Sequence, residues 1–462
     1  MAVAALLLWP SPGFAQNDPA ADVDAVVAEL ASRIEPEPGG LTANEVARLA
    51  VQNAPSVRGA QAARQQAEEA AAQARSAFIP QLTLTAGYTR LSEVGLPPLE
   101  LPGLGAVDNP FPQILNVFLF RATAAIPVTD YFLTILPAYE GAERFAEAAE
   151  AGVELQGQQI AFRAREAYFN HIRARGGLAI ASQAVTTLEA TLEDVESLVG
   201  AGVLPRADGL QLRARLASAR AAQTQARGAV RLTERALRTM LHLPEDTPVR
   251  IGEDLLRLPA PPVDSEDALI AEARRARPEV RALRALVGAR ESLATAREGA
   301  LFPRVLITAQ ADMANPNQRI FPQSESFNGT WAVGVALSWS PTSLPGQLDQ
   351  LEQAQSQVAQ ARADLEALED GLAIEATQAW VAYESARESI ESSREGLIAA
   401  HAAFEDRRRL LAAGAGTTTE LAGAQLELTQ AQLAFVNAHI SLHVAVANIE
   451  RVAGRTTVGG EG

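Results

Sequence analysis

The sequence contains no cysteine and no lysine in its 462 residues. The absence of cysteine excludes a disulfide framework, a thiolate metal site, a thiol nucleophile and lipid attachment through cysteine. The absence of lysine excludes a Walker A loop, whose lysine contacts the phosphates. The formal net charge of −16 argues against a nucleic-acid partner, because phosphate backbones are bound by basic surfaces.

Long apolar runs are also missing, since no window beyond the N-terminus has the eighteen or so uncharged apolar residues of a spanning helix. The N-terminus itself has an apolar core, Ala2–Trp9, followed by small residues up to Ala15. This pattern predicts a truncated signal peptide at 1–15, although the missing basic residues leave an ordinary apolar tail as an alternative. An exported protein without a spanning helix is periplasmic, secreted or located in the outer membrane.

Most of the remaining chain is rich in Ala, Leu, Glu, Gln and Arg, which is typical of long helices. Short alternating segments interrupt the helical pattern and predict two pairs of strands. The predicted organisation is a flexible leader at 16–40, a first repeat at 41–241 with strands at 79–90 and 116–127, a linker at 242–264, a second repeat at 265–453 with strands at 303–313 and 330–340, and a tail at 454–462.

The two repeats show the same order of helix, strand, loop, strand, long helix, glycine break and shorter helix. Their corresponding positions are Pro80 with Pro303, Pro127 with Pro341, and Gly202 with Gly414. The first copy differs mainly by a longer loop, predicted over 91–112. Each long helix covers about 68 residues, or near 100 Å at 1.5 Å per residue.

Such long, alanine-rich helices cannot enclose a globular core, so their apolar stripes are expected to pack sideways as in coiled coils. A seven-residue spacing in the second long helix supports left-handed supercoiling. Its members are Val358, Leu365, Leu372, Ala379 and Ala386.

The segment from Trp331 to Trp339 alternates between bulky apolar and small residues. One parity consists of Trp331, Val333, Val335, Leu337 and Trp339. An apolar strand face bounded by indoles is typical of a strand that contacts lipid, but a sandwich strand facing a protein core has the same pattern.

Four strands cannot close a membrane barrel, and lipid does not tolerate open strand edges. If the strands contact lipid, several chains must therefore share one barrel.

The ordered set of features from Leu41 to Ala453 resembles the TolC-like outer-membrane efflux proteins. The segments that carry the resemblance are Leu41–Ala50, Asn53–Pro55, Ala77–Leu82, Gly202–Asp208 and Gly414–Glu420. The resemblance implies an α+β membrane protein with an internal tandem repeat. It implies a homotrimer in the outer membrane, in which each chain contributes four transmembrane β-strands to a shared twelve-stranded barrel and long coiled-coil helices form a periplasmic α-barrel.

The resemblance also implies partners and sites. The partners are outer-membrane lipid, a periplasmic membrane-fusion adaptor and an inner-membrane transporter of the RND, ABC or MFS type. The adaptor would contact two helix turns, formed by Ala201, Gly202, Val203, Ala413, Gly414 and Ala415. An acidic ring at the tunnel mouth maps to Glu420, with Asp208 as the equivalent acid of the first repeat. The family's ring usually has a second acid, whose position is occupied here by Gly423. The aromatic and arginine residues that hold the tunnel mouth shut in the best-known member correspond to Leu411 and Gly416, so the same gating network is not expected here.

No group of residues predicts catalysis. His439 and His443 have the spacing of two metal ligands on one helix face, but no third ligand is evident, and solvated or intersubunit histidines are the alternative. We therefore expect no enzyme activity, no metal and no cofactor.

The predicted function is a passive exit duct of a tripartite efflux or type I secretion system. A periplasmic coiled-coil adaptor or scaffold is the alternative.

Overall fold

The computed structural model describes residues 36–95, 99–101, 105–107, 113–244 and 247–455. The predicted signal peptide at 1–15 lies outside these residues, as do most of the leader at 16–40 and of the tail at 454–462. Within the described ranges, no helix combines the length and the apolar composition needed to cross a membrane.

Helices and strands follow one another in the predicted order, with two additional breaks and one additional hairpin. Their bounds are α1 Ala43–Asn53, α2 Pro55–Ser76, β1 Gln81–Arg90, β2 Leu99–Leu101, β3 Gly105–Val107, β4 Asn116–Pro127, α3 Leu136–Gly200, α4 Arg206–Leu241, α5 Glu266–Ala276, α6 Pro278–Gly299, β5 Arg304–Asn315, β6 Asn328–Ser338, α7 Leu344–Ala412 and α8 Thr418–Val452. A helical turn, Val128–Asp130, and a π-helical segment, Tyr131–Ile135, lead into α3.

The sequence pattern predicts one helix from Leu41 to about Ala77 and another from about Ser265 to Ala300, but a proline divides each of them. Ala54, between α1 and α2, has an extended backbone with ψ 125°, and Arg277, between α5 and α6, has ψ 132°. Each precedes a proline, whose ring clashes with a helical conformation of the residue before it. The prediction of one unbroken helix was therefore wrong in both places.

The N-caps of α1 and α5 repeat the same arrangement. The spacing of Thr42 and Glu45 in the sequence predicts a capping box. Thr42 Oγ1 accepts a hydrogen bond from the Glu45 backbone N–H, and the Glu45 carboxylate accepts one from the Thr42 N–H, which confirms this prediction. Ser265 caps α5 by accepting from the Ala268 N–H. The caps, the helix-dividing prolines and Pro80 with Pro303 are separated by the same number of residues, which supports the two-repeat interpretation.

The segment predicted as a loop over 91–112 contains the short antiparallel hairpin of β2 and β3. This is a correction to the sequence prediction. Three-residue strands are too short to show a periodicity that distinguishes them from loop.

The long helices agree closely with the sequence pattern. α7 has 69 residues and α3 has 65, and α4 and α8 follow after short glycine-containing turns. Along α7, the residues at the seven-residue spacing are buried or half-buried, and Leu372 and Ala379 are 2% and 1% exposed. The apolar stripe predicted for sideways packing is therefore the stripe that this helix buries.

The four longer strands form one antiparallel sheet in the order β1-β4-β5-β6. Gln81 pairs with Ala125 at one end of the β1–β4 ladder, and β5 pairs with both β4 and β6. The pairing of β4 with β5 joins the strands of the first predicted repeat to those of the second. β1 and β6 are the two edges.

The chain divides into two compact units that do not follow the two predicted repeats. The helical unit comprises Met1–Gly59, Glu154–Pro278 and Glu369–Gly462, and the sheet unit comprises Ala60–Val153 and Glu279–Leu368. Each unit takes residues from both repeats. The division of the chain into repeats remains a prediction.

The helical unit contains the larger apolar side chains. Its clusters include Ile172, Leu237, Leu397, Ile440 and Ile449, each 1% exposed or less. The described buried residues of the sheet unit are mostly small, namely Ala71, Ala151, Val280, Ala289, Ala314 and Ala361. Many of the larger apolar residues of the sheet unit are instead exposed on its sheet, including Leu84, Trp331 and Val335.

Tyr168 joins three segments of the helical unit. Its hydroxyl donates to the Leu41 carbonyl at 2.5 Å and accepts from the backbone N–H groups of Gly252 and Glu253 at 3.3 and 3.2 Å. The Tyr168 ring is fully buried, and burial raises the pKa of its phenol above the ordinary value. The hydroxyl therefore stays neutral and ties α3 both to the chain before α1 and to the linker after α4.

We expect Tyr168→Phe to destabilise the protein by about 1 to 3 kcal/mol, because the Glu253 N–H loses its partner. The Leu41 carbonyl and the Gly252 N–H remain bonded to each other at 2.9 Å. Urea unfolding of the detergent-solubilised protein, followed by circular dichroism, measures this loss. Tyr383→Phe is the matched control, since Tyr383 is also buried and its hydroxyl has no hydrogen-bond partner among the described residues. Equal midpoints for the two variants would contradict the role assigned to Tyr168.

Candidate functional sites at the sheet and the helix turns

One face of the sheet is apolar across all four strands. The register pairs Leu84 with Ala122, Ala122 with Ala311, and Ala311 with Trp331, and directly paired residues of antiparallel strands share a face. The large apolar members of this face that are more than half exposed are Leu82, Leu84, Tyr88, Phe120, Met313, Trp331, Val333, Val335 and Leu337. The sheet thus presents a broad apolar surface outward, with Trp331 78% exposed.

Trp339 differs slightly from its prediction, because β6 ends at Ser338. Its indole remains half-exposed, and Nε1 donates to the Leu301 carbonyl at 3.2 Å. The predicted parity of Trp331, Val333, Val335 and Leu337 lies within the strand and is exposed. The sandwich alternative, in which this face packs on a protein core of the same chain, is therefore wrong.

The opposite face of the sheet carries hydroxyls, small residues, an ion pair and three larger apolar residues, Val117, Leu119 and Leu306. Its hydroxyl-bearing members are Thr83, Thr85, Thr89, Thr123, Thr308, Thr330 and Ser338. Arg121 of β4 pairs directly with Asp312 of β5, and Nε lies 2.7 Å from Oδ1. Gln310 donates to the other carboxylate oxygen of Asp312 at 2.7 Å. Both oxygens of this carboxylate are therefore hydrogen-bonded.

The two helix turns have the same backbone geometry. Gly202 and Gly414 both have a left-handed backbone, with φ 78° and 70°. Val203 N–H donates to the Leu198 carbonyl at 2.9 Å, and Ala415 N–H donates to the Leu410 carbonyl at 2.9 Å. These are the bonds of a Schellman motif, in which glycine is favoured because it has no Cβ. Helix capping is therefore one role of both glycines.

The six turn residues that the sequence assigns to a partner contact lie outside the core. They are Ala201, Gly202, Val203, Ala413, Gly414 and Ala415, and all are exposed. Val203 is the largest of them and is 60% exposed. Both turns therefore offer an accessible backbone with small apolar side chains.

Asp208 lies against the first turn of α8. Thr418 Oγ1 donates to Asp208 Oδ1 at 3.0 Å, and Thr419 Oγ1 donates to Gln211 Oε1 at 3.2 Å. Thr418 is only 3% exposed. These two bonds connect the start of α4 with the start of α8, and so join the two helix turns that the sequence predicts to be equivalent.

Glu420 takes part in the N-cap of α8. Its backbone N–H donates to Thr417 Oγ1, and its carboxylate accepts from the Thr417 N–H, both at 3.3 Å. The carboxylate also lies 3.5 Å from Arg407 Nη1. Both side chains are nearly half exposed, so this pair contributes little to stability. The structure thus assigns Glu420 a capping role, and an acidic ring remains a proposal.

His439 and His443 are buried in the helical unit, so the alternative of solvated histidines was wrong. His439 Nδ1 is 3.0 Å from the Phe435 carbonyl, and His443 Nε2 is 3.2 Å from the Leu255 carbonyl. Burial lowers the pKa of both imidazoles, although the carbonyls oppose this effect, and Glu253 and Asp254 also oppose it at His443. No cluster of three or more candidate metal ligands occurs in the described part of the chain.

Sequence reasoning missed Arg121, Asp312, Thr418 and Arg407. Arg121 and Asp312 lie at the polar positions of predicted strands, so the alternation of the sequence predicts that both side chains point to the polar face. Their pairing could not be predicted, because it depends on which strand neighbours β4. Thr418 likewise meets Asp208 only through tertiary packing.

Comparison with known proteins gives consistent matches over most of the chain. A sequence model of the family described as outer membrane efflux protein matches residues 46–241 and 269–455. The outer membrane efflux protein BepC of Brucella suis biovar 1 (strain 1330) is 25% identical over 394 residues, covering 84% of this chain and 80% of that protein.

Solved structures of channels match over a similar extent. The outer-membrane channel OprN superposes with a TM-score of 0.73 at 20% identity, covering 90% of this chain and 91% of that one. The transmembrane channel protein CusC superposes with a TM-score of 0.74 at 18% identity, covering 90% and 92%. These structures share the fold of this chain.

We expect Thr418→Val to loosen the contact between the two turns, because hydrogen bonds to charged groups contribute about 1.5 to 3 kcal/mol. Hydrogen exchange followed by mass spectrometry should show faster exchange in peptides covering residues 206–216. Thr224→Val is the control, since Thr224 Oγ1 donates only to the Arg220 carbonyl within α4. Unchanged exchange in Thr418→Val would show that this bond does not hold the turns together.

We expect His443→Gln to reduce the loss of stability on acidification. The folded-state pKa of His443 is lowered, so between that pKa and the unfolded value near 6.5 the unfolded chain binds more protons. Stability is therefore fully present above about pH 6.5 and falls as pH decreases through the folded-state pKa. Gln keeps a donor for the Leu255 carbonyl without titrating.

Thermal unfolding between pH 8 and pH 5 measures this effect, with His401→Gln on α7 as a control that is not buried. The His443 variant should lose less stability than the control over that range. Parallel pH profiles would contradict the assignment.

Proposed function

The chain belongs to the outer membrane efflux protein family, whose sequence model matches it at 46–241 and 269–455, and from this membership we propose that three copies form one exit duct. The protein is an outer-membrane channel of an efflux system, extending into the periplasm. In the proposal, each chain contributes β1, β4, β5 and β6 to a shared twelve-stranded barrel, and the long helices line a periplasmic tunnel.

The observation that carries the proposal is the sheet with one exposed apolar face and two edges. A single four-stranded sheet leaves the outer backbone groups of β1 and β6 without strand partners. Hydrocarbon provides no hydrogen bonds to such groups, so strands in a membrane must close into a barrel. Neighbouring copies that pair β1 with β6 satisfy both edges at once and direct every apolar face to lipid.

Exposed apolar side chains on the helices also favour assembly. Leu232 is 71% exposed, Ile374 61% and Val381 54%. These residues lie on α4 and α7 among exposed polar residues. A helix face that contacts only water would carry polar residues and no large apolar ones. Helices of neighbouring copies would bury them by the same sideways packing that buries Leu372.

The proposed partners are a periplasmic membrane-fusion adaptor and an inner-membrane transporter of the RND, ABC or MFS type. Exposure of the two Schellman turns supports contact with the adaptor at Ala201, Gly202, Val203, Ala413, Gly414 and Ala415. The energy for transport would come from the transporter, in a tripartite efflux or type I secretion system, and the duct would be passive.

Glu420 and Asp208 are proposed to line the tunnel mouth as acidic groups. Three chains would place three copies of each around the axis. The Thr418–Asp208 bond supports a mouth in which the two turns of each chain move together.

The alternative of a periplasmic coiled-coil adaptor or scaffold is wrong, because the family match identifies a channel protein. The family consists of outer-membrane channel proteins rather than enzymes.

We expect Val335→Arg to cost about 2 to 4 kcal/mol if its side chain faces the middle of the bilayer. Val335 is 72% exposed at the centre of the apolar face. Cell fractionation and unheated gel electrophoresis should show a large loss of heat-sensitive trimer from the outer-membrane fraction. Ala336→Arg is the matched control, because the next residue along the strand points to the polar face.

A trimer that survives both substitutions equally would contradict lipid contact at Val335. A monomer in the unsubstituted protein would contradict the shared barrel itself.

A further inference from the structure

The polar face of the sheet carries few charged residues within its strands. In the described residues of the four strands, they are Arg121, Asp312 and Arg304 at the start of β5. Arg304 lies 3.8 Å from the Asp130 carboxylate, and Arg121 lies 2.7 Å from Asp312. Each charged residue on the polar face of the sheet therefore has an opposite charge beside it.

The Arg121–Asp312 pair is internal to each chain. β4 and β5 are the two central strands of the sheet, so the pair is distant in sheet order from the edges at which neighbouring copies would join. Asp312 is 9% exposed at its side chain, whereas Arg121 is 41% exposed. The guanidinium thus covers the carboxylate and faces the space in front of the sheet.

We propose that Arg121 and Asp312 set the charge selectivity of the passage where it is lined by this sheet. The proposal rests on the proposed function, in which the polar face lines the barrel. As a pair the two residues add no net charge to the wall, so this part of the duct admits solutes of either sign and uncharged amphipathic molecules. Removing one partner leaves a ring of identical charges, one from each chain, close to permeating ions.

A structural role for the same pair is the competing explanation. Opposite charges at directly paired positions stabilise a sheet and its register. Loss of such a role would reduce folding and assembly, but it would not produce shifts of opposite sign in ion selectivity for the two substitutions.

The test is the reversal potential of purified protein in planar lipid bilayers under a KCl gradient. Arg121→Gln should raise the potassium-to-chloride permeability ratio severalfold over the unsubstituted protein, and Asp312→Asn should lower it severalfold. The double variant R121Q/D312N and the exchanged variant R121D/D312R should both return close to the original ratio. Charges elsewhere, including Arg319 of the loop after β5 and the acids of the helix turns, contribute the same background to every variant.

Arg90→Gln is the matched control, because Arg90 lies on the apolar parity of β1, opposite Asn116. It removes the same charge from the other face and should leave the ratio unchanged.

If both single variants form channels with the original ratio, the proposal is overturned and the pair is structural. If the single variants fail to assemble, the exchanged variant decides, since a ratio unlike the original overturns the proposal. If the unsubstituted protein forms no channels, the proposed function itself fails, and this proposal fails with it.

Discussion

A strand placed in hydrocarbon must have every backbone N–H and C=O group paired within the protein, and this constraint governs the arrangement of the chain. The sheet meets it internally along three antiparallel ladders and leaves only the outer sides of β1 and β6. The register of those ladders aligns the bulky parity of all four strands on one face. A lipid-facing surface and a need for neighbouring copies both follow from that alignment, because the same sheet that exposes Trp331 and Val335 also has two edges.

The long helices α3 and α7 also satisfy their terminal backbone groups within the chain. Each is followed by a glycine in the left-handed region. The N–H groups of the glycine and of the next residue donate to the last helical carbonyls, which belong to Leu198 and Val199 in α3 and to Leu410 and Leu411 in α7. These exposed turns are therefore available for another protein. Behind them, Thr418 and Asp208 join the two turns, which connects the two predicted repeats at their helix turns.

Two acidic groups at the candidate sites each have a basic partner and a second hydrogen bond. Asp312 is held by Arg121 and Gln310, Glu420 is held by the α8 cap and Arg407, and the buried histidines remain neutral through desolvation. In a duct, a paired charge keeps the wall hydrated without attracting ions of one sign. Under the proposal made above, solute passage depends on this cross-strand contact.

The sequence predicted the nature and order of the main elements, because periodicity and turn chemistry are local. The alternation around Val335, the capping box at Thr42 and the glycine turns could all be read in this way. It did not predict the breaks at Ala54 and Arg277, although the following prolines signalled them, nor the three-residue strands β2 and β3.

Which strands are neighbours depends on the pairing of segments that are distant in the sequence. This pairing places Arg121 opposite Asp312 and combines the apolar sides of the four strands into one surface. Tertiary packing likewise brings Thr418 to Asp208 and buries His439 and His443. The physical reason is that a local pattern fixes the direction in which a side chain points, whereas its partner is chosen by backbone pairing and helix packing between segments far apart in sequence.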